Sequence, residues 1–471
     1  MPPPGSRKPK ELVAPPVFVR ILPRNVGGHV EDGNKNNVAK RLKDWRGSNT
    51  DGDGTKTKDN KPCVILSDTH GDTMYGFPKD VFGPGATNAD IFTNVAAPLL
   101  HKFLDADDPH SVILFAYGQT GTGKTHTLMG PEVSWDTVDH SEWGVFPRIV
   151  SEVLRVMETR QGNCAYATHV SAVEFYFCQG FCLLDGKKQV LVRDGEIVGK
   201  KQVKVERAED VLRVLANVRN TRTTASTKMN PALMSSMGKQ SGSKNNTAHG
   251  GSSRSHCALT LRLSMVNKQS KKTRTVTFTC MDLAGAERQK SNDNTHVSAM
   301  ESIMSYWRDP ANVKPCAQAT IINYELSSLR SAIVQSAEAH RKGTKVAAPT
   351  QLGTAAVNYM TGLFDGRCLV ANIVTLSQSP KSGWETWFAC TYAEDVRKLL
   401  MPADGRSAKA IDLKKLSKDL NDKATVAKQA LEKIPEKNHP SSKYYPRRVI
   451  EARHFKTESD IVNELLKRVQ V

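Results

Sequence analysis

Apolar residues recur along the chain with two spacings, and the switch between them predicts alternating helices and strands. Ile91, Phe92, Val95, Leu99, Leu100 and Phe103 fall on one face of a helix that Asn88-Ala89-Asp90 can cap. Val112 to Tyr117 is a continuous apolar run of strand length and follows at once. Val17 to Pro23, Cys63 to Ser67, Thr168 to Tyr176, the segment CALTLRLSMV and Val276 to Met281 read as further strands. Val145 to Glu158 and Ala208 to Arg219 read as amphipathic helices, the latter with Val211, Leu212, Leu215 and Val218 on one side. This alternation predicts an α/β sheet that binds ligands at the carboxyl ends of its strands.

The polar stretches mark the boundaries. Residues 1 to 15, rich in Pro and Lys, read as a flexible basic tail. Residues 27 to 62 turn to Gly, Asn, Asp and Lys and read as an insertion, with AKRLKDW able to hold a helical turn. DGDG within it lacks the glutamate that would close a calcium loop. Ser235 to Gly251 reads as a loop. After a break at Pro402 to Gly405, Ala408 to Ile434 predicts a helix with Leu413, Leu416, Leu420, Ala427, Leu431 and Ile434 along one seam. That seam suits either a short coiled coil, joining a second copy or a partner subunit, or a single helix folded back on the body of the protein. Pro435 to Pro446 reads as a basic linker, and Asp460 to Val469 as a short amphipathic helix.

Charge narrows the partner without naming it. Lys and Arg outnumber Asp and Glu by 66 to 48, a net charge of +18 that favours a polyanionic surface. The nine cysteines show no Cys-x-x-Cys spacing, which fits a reducing setting better than a disulfide framework. A signal peptide is not expected from MPPPGSRKPK, and no stretch reads as a membrane span.

Candidate chemistry begins where the Val112 to Tyr117 strand ends. Gly118-Gln119-Thr120-Gly121-Thr122-Gly123-Lys124-Thr125 fits the pattern of a glycine, four free positions and Gly-Lys-Thr. The glycines let backbone N–H groups approach phosphate oxygens, and a helix starting near Lys124 adds its positive end. Lys124 would reach the outer phosphates, and Thr125 would offer its hydroxyl to Mg²⁺. Two weaker candidates lie downstream. Ser252-Ser253-Arg254-Ser255-His256 sets hydroxyls beside an arginine at a loop edge, and VTFTCMDLAGAER ends a strand in Asp282 with Gly285 and Glu287 beyond. Either alone reads as an ordinary turn or helix cap.

Together, YGQTGTGKTHTLMG, SSRSH and DLAGAER, in this order, resemble the phosphate loop, first switch and second switch of kinesin motor domains. The resemblance runs from about Val17 to Leu400 and includes VFGPGATNADIF, GVFPRIV, VSAVEFY, NTRTTASTKMN and INYELSSLRSAI. It implies a phosphate-loop NTPase of kinesin motor type, a mixed central sheet with helices on both faces, over residues 16 to 400. Insertions would lie at about 27–62, 231–251 and 289–319, followed by a linker at 401–407 and a helical extension. It also implies ATP and Mg²⁺ as ligands, microtubules as partner, and a cytoplasmic, cytoskeletal setting. Arg20, Pro23 and His126 would lie beside the adenine. Ser252, Ser253 and Arg254 would form the first switch, with Ser253 in the magnesium shell. Asp282 and Gly285 would form the second, and Glu287 would pair with Arg254 to close both loops on the γ-phosphate.

The departures bear on coupling. Leu22 stands where the family usually has a second arginine, and His249 where the first switch has an asparagine. The usual Lys-Ser pair after Asn323 is Tyr324-Glu325, and the loop from Arg288 to Thr320 contains Pro310 and Pro315, expected to break any long helix there. At the segment where kinesins present cations to tubulin, residues 347 to 354 carry no charge, which predicts weaker or altered track binding. Two rival readings follow. One is a nucleotide-binding structural subunit that does not step. The other, a nucleic-acid translocase, explains the basic charge but has no motif of its own.

Overall fold

The computed structural model describes residues 12–22, 41–46, 63–68, 71–76, 81–131, 140–160, 162–193, 195–229, 254–286, 298–309, 313–344, 353–364, 366–377, 382–399, 401–402, 407–434 and 445–470. The described strands, in chain order, are β1 (Leu12–Val13), β2 (Val17–Ile21), β3 (Arg41–Arg46), β4 (Cys63–Asp68), β5 (Gly71–Gly76), β6 (Val81–Phe82), β7 (Ser111–Gly118), β8 (Cys164–Tyr176), β9 (Gln179–Cys182), β10 (Lys188–Arg193), β11 (Glu196–Val198), β12 (Val203–Lys204), β13 (His256–Asn267), β14 (Lys272–Asp282), β15 (Cys368–Leu376), β16 (Met401–Pro402) and β17 (Ile411–Asp412). The helices are α1 (Asn88–Ile91), α2 (Ala97–Phe103), α3 (Lys124–Met129), α4 (Val145–Thr159), α5 (Ala208–Met229), α6 (Ala299–Arg308), α7 (Pro315–Arg341), α8 (Ala355–Leu363), α9 (Gly383–Lys398), α10 (Leu413–Glu432) and α11 (Tyr445–Gln470), with a π-helical turn, Phe92–Ala96, joining α1 to α2.

The main sheet runs β11-β10-β9-β8-β13-β14-β7-β15-β2-β6, with β12 also on β8 and β17 on β14. From β14 to β6 every neighbour on this path is parallel, and from β14 to β11 every neighbour is antiparallel. The expected mixed sheet is therefore present, and β7, the strand entering the phosphate loop, lies in its parallel half between β14 and β15. Burial on both faces explains why β7 reads as an unbroken apolar run: Val112 to Ala116 are at most 1% exposed.

Several local expectations change. RLKDWR is not a helical turn but β3, paired antiparallel with β4 in a separate three-stranded sheet. The cap of α1 is Thr87, whose side chain accepts from the Asp90 N–H while Asp90 accepts from the Thr87 N–H. Pro315 does not break a helix. It sits in the first turn of the 27-residue α7, where its missing N–H costs nothing. α6 lies inside the expected 289–319 insertion, starting from a Ser298–Glu301 capping box. Leu12 and Val13 belong to no tail, because they pair antiparallel with Pro402 and Met401.

The carboxy-terminal region is the largest change. Where one helix was expected from Ala408, Ile411–Asp412 first pairs with Lys272–Thr273 of β14, and the Asp412 side chain then caps α10. The terminal helix is 26 residues long rather than ten. Its Ile461, Val462, Leu465 and Val469 form a second core with Leu413 of α10 and with Ala167 and Val266 of the sheet, with Leu416, Leu420 and Leu466 packed against it. The first part of the α10 seam, Leu413, Leu416 and Leu420, is thus packed from within the chain. Polar contacts reinforce it: Arg262 of β13 bonds Glu458 at 2.6 and 2.8 Å, Arg453 bonds the carbonyls of Gly199 and Gln189, and Arg193 bonds Glu451.

Candidate functional site

Parallel pairing sets the site. β7 and β14 are in register at Ala116 and Asp282, so both strands deliver their carboxyl ends to one edge of the sheet. β13 runs antiparallel beside β14, with Cys257 opposite Asp282, so its first residues arrive at the same edge. The phosphate-loop, first-switch and second-switch segments, far apart in sequence, converge for this topological reason.

The loop between β7 and α3 is held by its own side chains. Gly118 passes so close to β15 that an added Cβ would lie 2.4 Å from the Thr375 carbonyl oxygen, so only glycine fits. Gly123, with φ of +92°, turns the chain into α3 through a left-handed conformation. The Thr122 hydroxyl bonds the Gln119 carbonyl and the Thr375 hydroxyl, each at 2.7 Å. Lys124 is buried and donates to the carbonyls of Gly118 and Gln119 at 2.9 Å, which places its ammonium inside the curve of the loop. Gly121 and Thr120 complete the turn.

Thr125 donates its hydroxyl to Asp282 Oδ2 at 2.7 Å, bringing together two residues expected around one cation. The other carboxylate oxygen, Asp282 Oδ1, is buried with no hydrogen-bond partner among the described residues. A hydroxyl beside a carboxylate with a spare oxygen fits a hard divalent cation of the Mg²⁺ type. The second-switch turn closes on the loop as the Leu283 N–H bonds the Ala116 carbonyl and the Ala286 N–H that of Gly118, both at 3.3 Å. Gly285 lies between these anchors.

Charged residues that carried no sequence assignment support the site. Arg222 of α5 lies fully inside the protein, with Nη1 3.6 Å from Asp282 Oδ2 and Nε 3.6 Å from Glu174 Oε1. Glu174 also accepts from Ser255 Oγ at 2.6 Å and pairs with Lys187. Burial pushes the Glu174 carboxyl up, but Arg222 and Lys187 outweigh it and hold the group below the usual carboxylate range. Glu174 and Arg222 sit in VSAVEFY and NTRTTASTKMN. A charge in an otherwise apolar strand was the available signal for the first.

The remaining expected residues are placed unevenly. Arg254 donates to Gln318 of α7 at 2.7 Å. Glu287, its expected partner, lies outside the described residues, as do Ser252, Ser253, Pro23, the insertion at 231–251 and most of the uncharged 347–354 segment. Arg20 is committed to Asn88 Oδ1 at 2.6 Å, Thr127 Oγ1 at 2.7 Å and the Ala86 carbonyl at 3.0 Å, tying β2 to the start of α1 and to α3. Burial lowers the pKa of His126, and the nearby Arg20 lowers it further, so its imidazole is neutral near pH 7.

Known proteins agree with this arrangement. The profile of the kinesin motor domain family matches residues 31–306. Kinesin-like protein KIN-14O of Arabidopsis thaliana is 30% identical over 216 residues, covering 46% of this chain and 17% of the relative. Kinesin-like protein K39 of Leishmania chagasi is 27% identical over 340 residues, covering 63% of this chain and 33% of the relative. The chain thus spans a third or less of the length of these relatives. Among solved structures, a fast kinesin superposes with a TM-score of 0.58 at 19% identity, over 84% of this chain and 94% of its own. A KIF14 dimer carrying AMP-PNP on a microtubule gives 0.60 at 21%, over 84% and 97%. With the phosphate loop, Asp282 and the mixed sheet all in place, the chain belongs to the kinesin motor domain family.

Proposed function

We propose that this chain is an ATP-hydrolysing, microtubule-based motor of kinesin type. One observation carries the reading: Lys124, Thr125 and Asp282 meet at the edge where the ends of β7 and β14 lie side by side. Entry of a nucleotide would exchange the Gly118 and Gln119 carbonyls on Lys124 for phosphate oxygens, which bind an ammonium more strongly because they are charged. Thr125 and Asp282 would hold Mg²⁺, whose charge neutralises the phosphates. Arg222 would orient Asp282, and Gly285 would offer its N–H to the γ-phosphate, with Ser252, Ser253, Arg254 and Glu287 closing over it. The KIF14 relative is described on a microtubule, which supports tubulin as the polyanionic partner that the net charge of +18 calls for, and a cytoskeletal setting with it. Cosedimentation with microtubules in ADP and in a non-hydrolysable ATP analogue tests this. Retention that is tighter in the analogue supports it, and equal absence from both pellets contradicts it.

A second reading, a nucleotide-binding subunit that sits on its track without stepping, is favoured by the carboxy-terminal region. Segments β16 and β17 are paired to β1 and β14, and the α10–α11 hairpin that follows is pinned to the sheet through Arg262 and Glu458. A surface-gliding assay separates the two readings: filament movement supports the first, and binding with turnover but no movement the second.

A further inference from the structure

We propose that Glu325 is a positioning residue that ties α7 to the phosphate sensor through His256, an inference that rests on the ATP-site reading above. His256 opens β13 directly after the first switch, and its Nδ1 accepts the Ala284 N–H of the second switch at 3.0 Å. An accepting Nδ1 puts the ring proton on Nε2 in the neutral imidazole. Nε2 faces Glu325 Oε2 of α7 at 3.6 Å, and both side chains are at most 2% exposed. One imidazole therefore stands between both switches and the long helix beneath them.

The contact is close but not made. Among the described residues His256 Nε2, both Glu325 oxygens and the Tyr306 hydroxyl of α6 are buried without a hydrogen-bond partner. A buried carboxylate without a partner is costly, and an apolar side chain of similar size would fill the place at lower cost. Its presence is explained if the bond forms in another state. A shift of about 0.7–0.9 Å from the present 3.6 Å would bring Nε2 and Oε2 to charge-assisted bonding distance, about 2.7–2.9 Å. Ala284 lies between Asp282 and Gly285, so recruitment of Gly285 by a γ-phosphate moves the peptide that holds the imidazole. Glu325 converts that displacement into a pull on α7.

Hydrogen exchange over residues 318–333 in ADP and in a non-hydrolysable ATP analogue tests the assignment, with thermal melting alongside. In the wild-type chain the analogue should slow exchange about tenfold relative to ADP. Glu325→Gln keeps an acceptor and should keep the difference. Glu325→Met should bind the analogue within about twofold of wild type, melt no lower, and lose the difference, so that stability and coupling part company. A Met variant that keeps the difference or melts lower, a Gln variant that loses it, or a wild-type chain that binds the analogue without an exchange change overturns the inference and leaves the ATP reading standing. A wild-type chain that binds no nucleotide overturns both.

Discussion

Thr125 and Asp282, 157 residues apart, share a hydrogen bond of 2.7 Å between the first turn of α3 and the carboxyl end of β14. The bond holds the start of α3 against the second switch. Thr125→Val removes the donor and leaves a second Asp282 oxygen without it, beside the buried Oδ1. A hydrogen bond to a charged group contributes roughly 1.5–3 kcal/mol, so a loss of that order is expected in melting. Nucleotide affinity should also lose most of its dependence on Mg²⁺, which titration of a fluorescent nucleotide with and without EDTA measures.

The carboxy-terminal helix should depend in part on the Arg262–Glu458 pair. Glu458→Ala leaves the Arg262 guanidinium enclosed without its carboxylate, a loss of about 3 kcal/mol. Limited proteolysis should then cut within α10 and α11 while the sheet stays resistant. Replacing both partners by Met should restore most of the resistance.

Acid should loosen the same region. Burial and the adjacent Arg262 lower the His169 pKa to about 4, from an ordinary value near 6.5. The folded protein keeps this imidazole neutral while the unfolded chain takes up a proton below about 6.5. Stability is therefore lost as pH falls from about 6.5 to 4, by at most about 3.4 kcal/mol for this group. Carboxylates lose stability in the same direction, so the comparison with His169→Gln isolates it. The variant should show a shallower fall in melting temperature between pH 7 and pH 4.5.

Leu413 should decide whether the α10 seam stays within the chain. It is 1% exposed in the core shared with Ile461, Val462 and Leu465. Leu413→Asp places a charge there at a cost of several kcal/mol and should release the hairpin. Light scattering should find the unaltered chain monomeric, and nucleotide affinity in the variant within about threefold of wild type, because the hairpin follows β17, which pairs with Lys272 and Thr273 at the opposite end of β14 from Asp282.

How much was legible in advance follows from which interactions are local. The phosphate loop could be read because its strand, glycines and Lys124 are contiguous, and Asp282 because it ends a strand. β3 could not be read, because RLKDWR is a strand only through its pairing with β4. Pro315 was misread because the same residue breaks a helix from within and favours one at its first turn. Glu174 and Arg222 stand in recognised motifs, but their role appears only once Arg222 of α5 meets both Glu174 of β8 and Asp282 of β14. The length of α11 was hidden because its first part is anchored by charged side chains, Arg453 and Glu458 among them, meeting a sheet distant in sequence.

Steady-state ATPase activity with and without microtubules, compared between the unaltered chain and Lys124→Ala, tests the central claim most directly. Lys124 is the one ammonium placed inside the phosphate loop among the described residues. The account predicts turnover stimulated at least about tenfold by microtubules and reduced about 100-fold or more by the substitution. Absence of turnover from the unaltered chain, or turnover indifferent to both microtubules and Lys124, would contradict it.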